Sequence, residues 1–153
     1  MADDTTLRRI LTENRSVAVL GAKAGEWEAA YYVPAYLRAQ GWRVVGVNPK
    51  IVGEWLGAPA VGSLSTAPPV DVIEVFRRPE FLVGHAREIL ALAWKPRVVW
   101  FQLGIRDDAA AAMLRDAGIE VVQDRCMMPD HQRLVGAIRD PARTRSSPRS
   151  EPG

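Results

Sequence analysis

Five short apolar runs alternate with segments of helical spacing along this chain, and that alternation constrains the fold more than any other feature. The runs are residues 16–20, 43–47, 70–76, 97–101 and 119–123, each short and mostly Val, Ile or aromatic. Near-continuous apolar runs suit strands buried on both faces of a parallel sheet. Between them, Leu7, Ile10 and Leu11 mark an amphipathic turn, and Tyr32, Val33, Tyr36 and Leu37 share a helical face that Gly41 ends. Pro34 belongs in the first turn of that helix, where a missing N–H costs little, so the helix starts near Ala30. Pro79 suits the first position of the next helix, which carries Phe81, Leu82, Ile89 and Leu90 and stops before Pro96. Asp107 caps a helix that Gly118 terminates, and a last periodic segment lies near residues 129–138.

Strands alternating with helices imply right-handed crossovers and a parallel sheet. The expected fold is α/β: a Rossmann-like, doubly wound, five-stranded parallel sheet in three α/β/α layers, with strand order 3-2-1-4-5. The chain has 153 residues with 25% charged and 48% hydrophobic residues, which suits one domain with its own core. That domain is expected over residues 1–139, followed by a disordered tail at 140–153 that lacks apolar content.

Net charge is only +2, and Arg139, Arg143, Arg145 and Arg149 lie in or beside the tail, so nucleic acid is not an expected partner. One cysteine, Cys126, excludes an intrachain disulfide. No apolar stretch reaches membrane-spanning length, and Met1-Ala2-Asp3-Asp4 has no signal-peptide character. The expected location is the cytoplasm, with no membrane partner; self-association into a homo-oligomer is left open.

Ligands of doubly wound sheets bind at the carboxyl ends of the strands. Those ends carry Gly21, Ala22 and Lys23; Asn48, Pro49 and Lys50; Phe76, Arg77, Arg78 and Pro79; Gln102, Leu103 and Gly104; and Asp124, Arg125 and Cys126. Lys23, Lys50, Arg77 and Arg78 gather positive charge on one edge, as an anionic nucleotide requires. Gly21 opens a loop from a strand toward a helix N-terminus, a phosphate-binding arrangement. An NAD site expects Gly-x-Gly-x-x-Gly and an acid after the second strand. Here the loop has only Gly21 and Gly25, and the second strand ends in Asn48-Pro49-Lys50. A lysine there suits a phosphorylated ribose, which NADP and coenzyme A both carry.

Val17-Ala18-Val19-Leu20-Gly21, Val45-Gly46-Val47-Asn48-Pro49, Val75-Phe76-Arg77-Arg78-Pro79-Glu80, Val99-Trp100-Phe101-Gln102-Leu103-Gly104-Ile105 and Asp124-Arg125-Cys126-Met127 resemble the small stand-alone CoA-binding proteins. These are similar in turn to the CoA-binding domain of the succinyl-CoA synthetase α subunit. The resemblance covers roughly residues 10–135 and implies binding of coenzyme A or an acyl-CoA. It implies a phosphate at the Gly21 loop and adenosine with its 3′-phosphate near Asn48 to Lys50. Phe76 to Pro79 and Gln102 to Gly104 would then line the way to the pantetheine arm, with Cys126 near the CoA sulfur. The chain departs from the family at Lys23 and Ala30, where serines are usual, and in carrying Trp27 and Trp55.

His85 reads as structural or exposed. His131, near the carboxyl edge, is the one histidine candidate for a general base. No Ser/His/Asp constellation is evident, and one cysteine with two distant histidines makes no metal site. The expectation is a CoA-binding module without chemistry of its own. The alternative is an NADP-linked or other nucleotide-using enzyme on the same fold. Arg125 beside Cys126 suggests an activated thiolate, able to form a mixed disulfide with CoA.

Overall fold

The computed structural model describes residues 2–136; the expected tail at 140–153 lies outside them. Helix α1 (Asp4–Glu13) begins at Asp3, whose carboxylate accepts from the Thr6 N–H at 2.9 Å, and buries Leu7, Ile10 and Leu11. Strand β1 (Ser16–Leu20) follows, buried throughout, then α2 (Ala29–Ala39) and β2 (Arg43–Val47). A small antiparallel ribbon pairs β3 (Glu54–Trp55) with β4 (Ala58–Pro59). Strand β5 (Val72–Val75) leads through a 3-10 turn (Pro79–Phe81) into α3 (Leu82–Leu90). Then come β6 (Val98–Phe101), α4 (Asp108–Asp116), β7 (Glu120–Val122) and α5 (Met127–His131), which runs on as a π-helical turn, Gln132–Gly136. Asp107 caps α4 as expected, accepting from the Ala110 N–H at 2.8 Å.

The sheet is parallel and five-stranded, in the order β2-β1-β5-β6-β7. Side chains alternate between two cores. Val17, Val19, Val72 and Trp100 pack with α1, α2 and α5, while Ala18, Leu20, Ile73 and Phe101 pack with α3 and α4. The three-layer Rossmann-like architecture is therefore present.

The expected strand order needs correction. The run at residues 70–76 does not extend the sheet beyond β2; it sits between β1 and β6. Val72, Ile73 and Val75 are fully buried there, covered by helices on both faces and paired with a neighbouring strand on each side. The edge beyond β2 goes instead to Val61, which makes a single parallel bridge to Val47. Its N–H donates to the Gly46 carbonyl, and its carbonyl accepts from Asn48 N–H, both at 2.9 Å. A rudimentary third strand thus stands where a full one was expected. The connection from β2 to β5 holds no α-helix; Leu64, Ala67 and Val70 cover the core there.

This topology fixes the switch point. From β1 the chain turns to α2 on one face, and from β5 it turns to α3 on the other. The carboxyl ends of these adjacent strands therefore diverge and leave a crevice between them.

Candidate functional site

Gly21 turns the chain out of β1 at φ +90°, and a Cβ there would collide with the Phe76 carbonyl oxygen. Only glycine fits so close to β5 in that conformation. The Gly21 N–H donates to the Val47 carbonyl at 3.1 Å, so it extends the sheet ladder and is spent. This corrects the simplest form of the loop expectation: Gly21 shapes the crevice and offers no N–H of its own to a ligand.

The loop after Gly21 is pinned from three sides. Asn48 Nδ2 donates to the Ala22 carbonyl and Trp55 Nε1 to the Lys23 carbonyl, each at 2.8 Å. Trp55 reaches this position by lying over Gly46, where a Cβ would strike its ring, with Tyr31 edge-on at 6.1 Å. The third tie is the Lys23 N–H, which donates to the Ala30 carbonyl at 3.4 Å. Pro34 explains that bond. It is the sixth residue of α2, just past the first turn where the sequence placed it; with no N–H it cannot donate to Ala30, and the loop takes that acceptor. At the start of α2, Glu28 gives no side-chain cap, which leaves helix N–H groups for an outside acceptor.

A groove of about 320 Å³ opens over β1, β2 and β5. Gly21, Lys23, Asn48, Pro49, Lys50, Phe76 and Arg77 line it, so half of the expected site residues do converge. Asn48 also orders its own neighbour, its Oδ1 accepting from the Lys50 N–H at 2.8 Å. The sequence reading missed Gly62, Ser63, His85 and Glu88, which line the same groove. His85 accepts from Arg77 Nε at 3.1 Å and faces Glu88 Oε1 at 3.0 Å, while Arg77 lies over the Phe81 ring at 4.8 Å. The i, i+3 spacing of His85 and Glu88 on α3 was the available signal.

Arg78 and Pro79 line a second trough of about 380 Å³ with the start of α2 and Ile105. Lys23, Phe76 and Arg77 line both hollows, so the two adjoin along the carboxyl edge. The remaining expected residues line neither hollow. Ala22 is buried beneath the loop. Leu103 is 67% exposed, and Gly104 donates its N–H to Asp124 Oδ1 at 2.6 Å. Gln102 is buried at the end of β6, and its Oε1 has no hydrogen-bond partner.

Cys126 is partly buried beyond β7. Burial pushes its thiol up from the usual value and outweighs the Met128 N–H and Gln102 amide beside it. The thiolate expected from Arg125 does not arise. Arg125 is bound two-pronged to Asp130, at 2.7 and 2.8 Å, so its charge is already matched. His131 is likewise no edge base. It is buried, with Nδ1 2.8 Å from Tyr36 Oη, and lines a hollow with Arg15 and Trp42, at the amino ends of β1 and β2.

One polar group was missed altogether. Glu74 lies in the middle of β5, fully buried, in register with Val19 and Trp100. Neither carboxylate oxygen has a hydrogen-bond partner, and burial raises its pKa to about 8, so it is mainly protonated at neutral pH. A lone acid inside the run Val72-Ile73-Glu74-Val75 was the signal. Among the described residues, no group of His, Cys, Asp and Glu is clustered as a metal ion requires. Nor, among them, is any helix long and apolar enough to cross a membrane.

The model of the family described as CoA binding domain matches residues 15–132. The uncharacterized protein YneT of Bacillus subtilis (strain 168) is 33% identical over 126 residues, covering 82% of this chain and 91% of that protein. A solved structure from Thermus thermophilus, described as cell-free ID.343, is 47% identical with a TM-score of 0.80, covering 87% of this chain and 99% of that one. A hypothetical protein from Pyrococcus horikoshii OT3 is 32% identical with a TM-score of 0.80, covering 88% and 94% respectively.

Proposed function

Because the chain belongs to the CoA-binding domain family, we propose that it binds coenzyme A or an acyl-CoA in the groove over β1, β2 and β5, as a binding module rather than a catalyst. The observation that carries this reading is the convergence of Lys23, Lys50 and Arg77 on one groove at the switch point, with no acid at the end of β2. Coenzyme A has a 3′-phosphate and a diphosphate to meet those cations. The adenosine and 3′-phosphate belong beside Asn48, Pro49 and Lys50. The diphosphate belongs between Lys23, Arg77 and the uncapped start of α2, with charge supplied by Lys23 in place of the family's serine hydroxyls. The pantetheine arm then follows the second trough past Arg78, Pro79 and Ile105, toward Gln102, Leu103, Gly104 and Cys126 at the far strand ends.

The binding-module reading is favoured by the fate of the acid–base candidates. His131 is sequestered with Tyr36, and Cys126 is held as a thiol. Calorimetric titration with CoA, acetyl-CoA, ADP, NAD and NADP tests the proposal. Micromolar binding of CoA with silent nicotinamide cofactors is expected. NADP binding with silent CoA would overturn it in favour of a nicotinamide-linked enzyme.

A further inference from the structure

We propose that His85 and Glu88 form a positioning relay that aims the Arg77 guanidinium at a phosphate in the groove, with His85 held as its neutral Nδ1–H tautomer. The inference rests on the coenzyme A reading of the groove and assigns a task to two residues which that reading leaves unused.

Arginine only donates hydrogen bonds, so the 3.1 Å contact from Arg77 Nε requires a lone pair on His85 Nε2. The ring proton of neutral His85 is then on Nδ1, and Nδ1 faces the Glu88 carboxylate at 3.0 Å, an acceptor. The direction of both bonds follows from the chemistry of the ends. A free imidazole prefers the opposite, Nε2–H tautomer, so the arrangement is imposed by its neighbours.

The relay acts on a side chain that is otherwise long and mobile. The Phe81 ring lies against the guanidinium at 4.8 Å, and the Arg77 stem passes beside Gly21, where Cδ stands 3.2 Å from the position a Cβ would take. With Nε tied to His85 and one region of the plane covered by Phe81, the two Nη groups remain as a fork for an anion. The ordering entropy is met before the ligand arrives, which favours affinity. It also explains why a carboxylate, Glu88, lines a groove otherwise suited to phosphate: it orients the imidazole and leaves Lys23, Lys50 and Arg77 as the cations of the site.

Two measurements test this on the full chain. Long-range proton–nitrogen correlation spectra, taken without ligand under alkaline conditions, should show His85 protonated at Nδ1, and at Nε2 once both partners are removed in the Arg77→Gln, Glu88→Leu double variant. ADP binding is then compared in Arg77→Gln, His85→Leu and the double variant. Each single change should weaken ADP by roughly tenfold, and the double should bind no worse than Arg77→Gln alone. His85→Gln should recover affinity, because its amide can accept from Arg77 and donate to Glu88. An Nε2–H tautomer in the wild type, or fully additive losses, would overturn the relay while leaving the groove reading intact. Failure of the wild-type chain to bind ADP or CoA would overturn the groove reading and the relay's purpose with it.

Discussion

Replacing Glu74 with glutamine should remove a pH-dependent weakness from the centre of the sheet. The folded chain holds this carboxyl neutral up to a pKa of about 8, whereas the unfolded chain ionises it near 4.5. The sign follows directly. Between those values the folded state retains a proton that the unfolded state releases, so stability is fully present below pH 4.5 and declines as pH rises toward 8. The slope approaches about 1.4 kcal/mol per pH unit, which brings the loss at pH 7 to about 3 kcal/mol relative to acid conditions. Glutamine is nearly isosteric, also leaves polar atoms without partners, and cannot ionise. Wild type and Glu74→Gln should therefore match within about 1 kcal/mol near pH 4.5 and diverge by about 3 kcal/mol at pH 7. Urea unfolding at a series of pH values reads this difference, at a typical slope of about 2 kcal/mol per molar, as a midpoint shift of about 1.5 M. Other titrating groups contribute to both proteins and cancel. Parallel pH profiles for the two proteins would refute the account of Glu74 as a buried, unpartnered acid.

Other residues give shorter tests. Gly21→Ala must place a Cβ against the Phe76 carbonyl at a positive φ, and should cost about 2–4 kcal/mol in urea unfolding; a loss below 1 kcal/mol would mean the turn relaxes. Lys50→Ala should weaken CoA about tenfold more than dephospho-CoA by calorimetry, whereas equal losses would move the 3′-phosphate away from Lys50. Cys126 should react with CoA disulfide more slowly at pH 7 than a small free thiol does. Its thiolate would displace one CoA thiolate and leave a mixed disulfide, and intact mass across a pH series should show the adduct growing with pH. A rate equal to that of glutathione at pH 7 would contradict the effect of burial on this thiol.

Local chemistry was legible in the sequence wherever one residue forces one conformation. Asp107 caps α4, Pro79 opens the turn into α3, and Gly21 ends β1 in a backbone only glycine tolerates. Strand order was not legible, because it depends on how residues 48–71 cross the sheet, and no helical periodicity marks that crossing. Proline shows the same limit at smaller scale. Pro34 reads as a first-turn residue when only its own missing N–H is weighed. Its place is set by the Lys23 N–H, which arrives from another part of the chain to use the Ala30 carbonyl.

The corrected order strengthens the site even though the expected one would also have yielded a nucleotide fold. With β5 beside β1, Gly21 and Phe76 meet across the diverging strands, and the Arg77 stem passes directly over the glycine. Had the run at 70–76 lain beyond β2, β2 would have stood between β1 and Arg77, holding them two strand spacings or about 10 Å apart, and Lys23 and Arg77 could not share both hollows. Val61 holds that outer edge with one bridge, which is enough to bring Gly62 and Ser63 against Pro49 and Lys50 without covering the groove. The positive charges seen along the sequence thus become a site through one nonlocal choice, the insertion of β5 at the centre. That placement buries Val72, Ile73 and Val75 completely, and it carries Glu74 into the core with them.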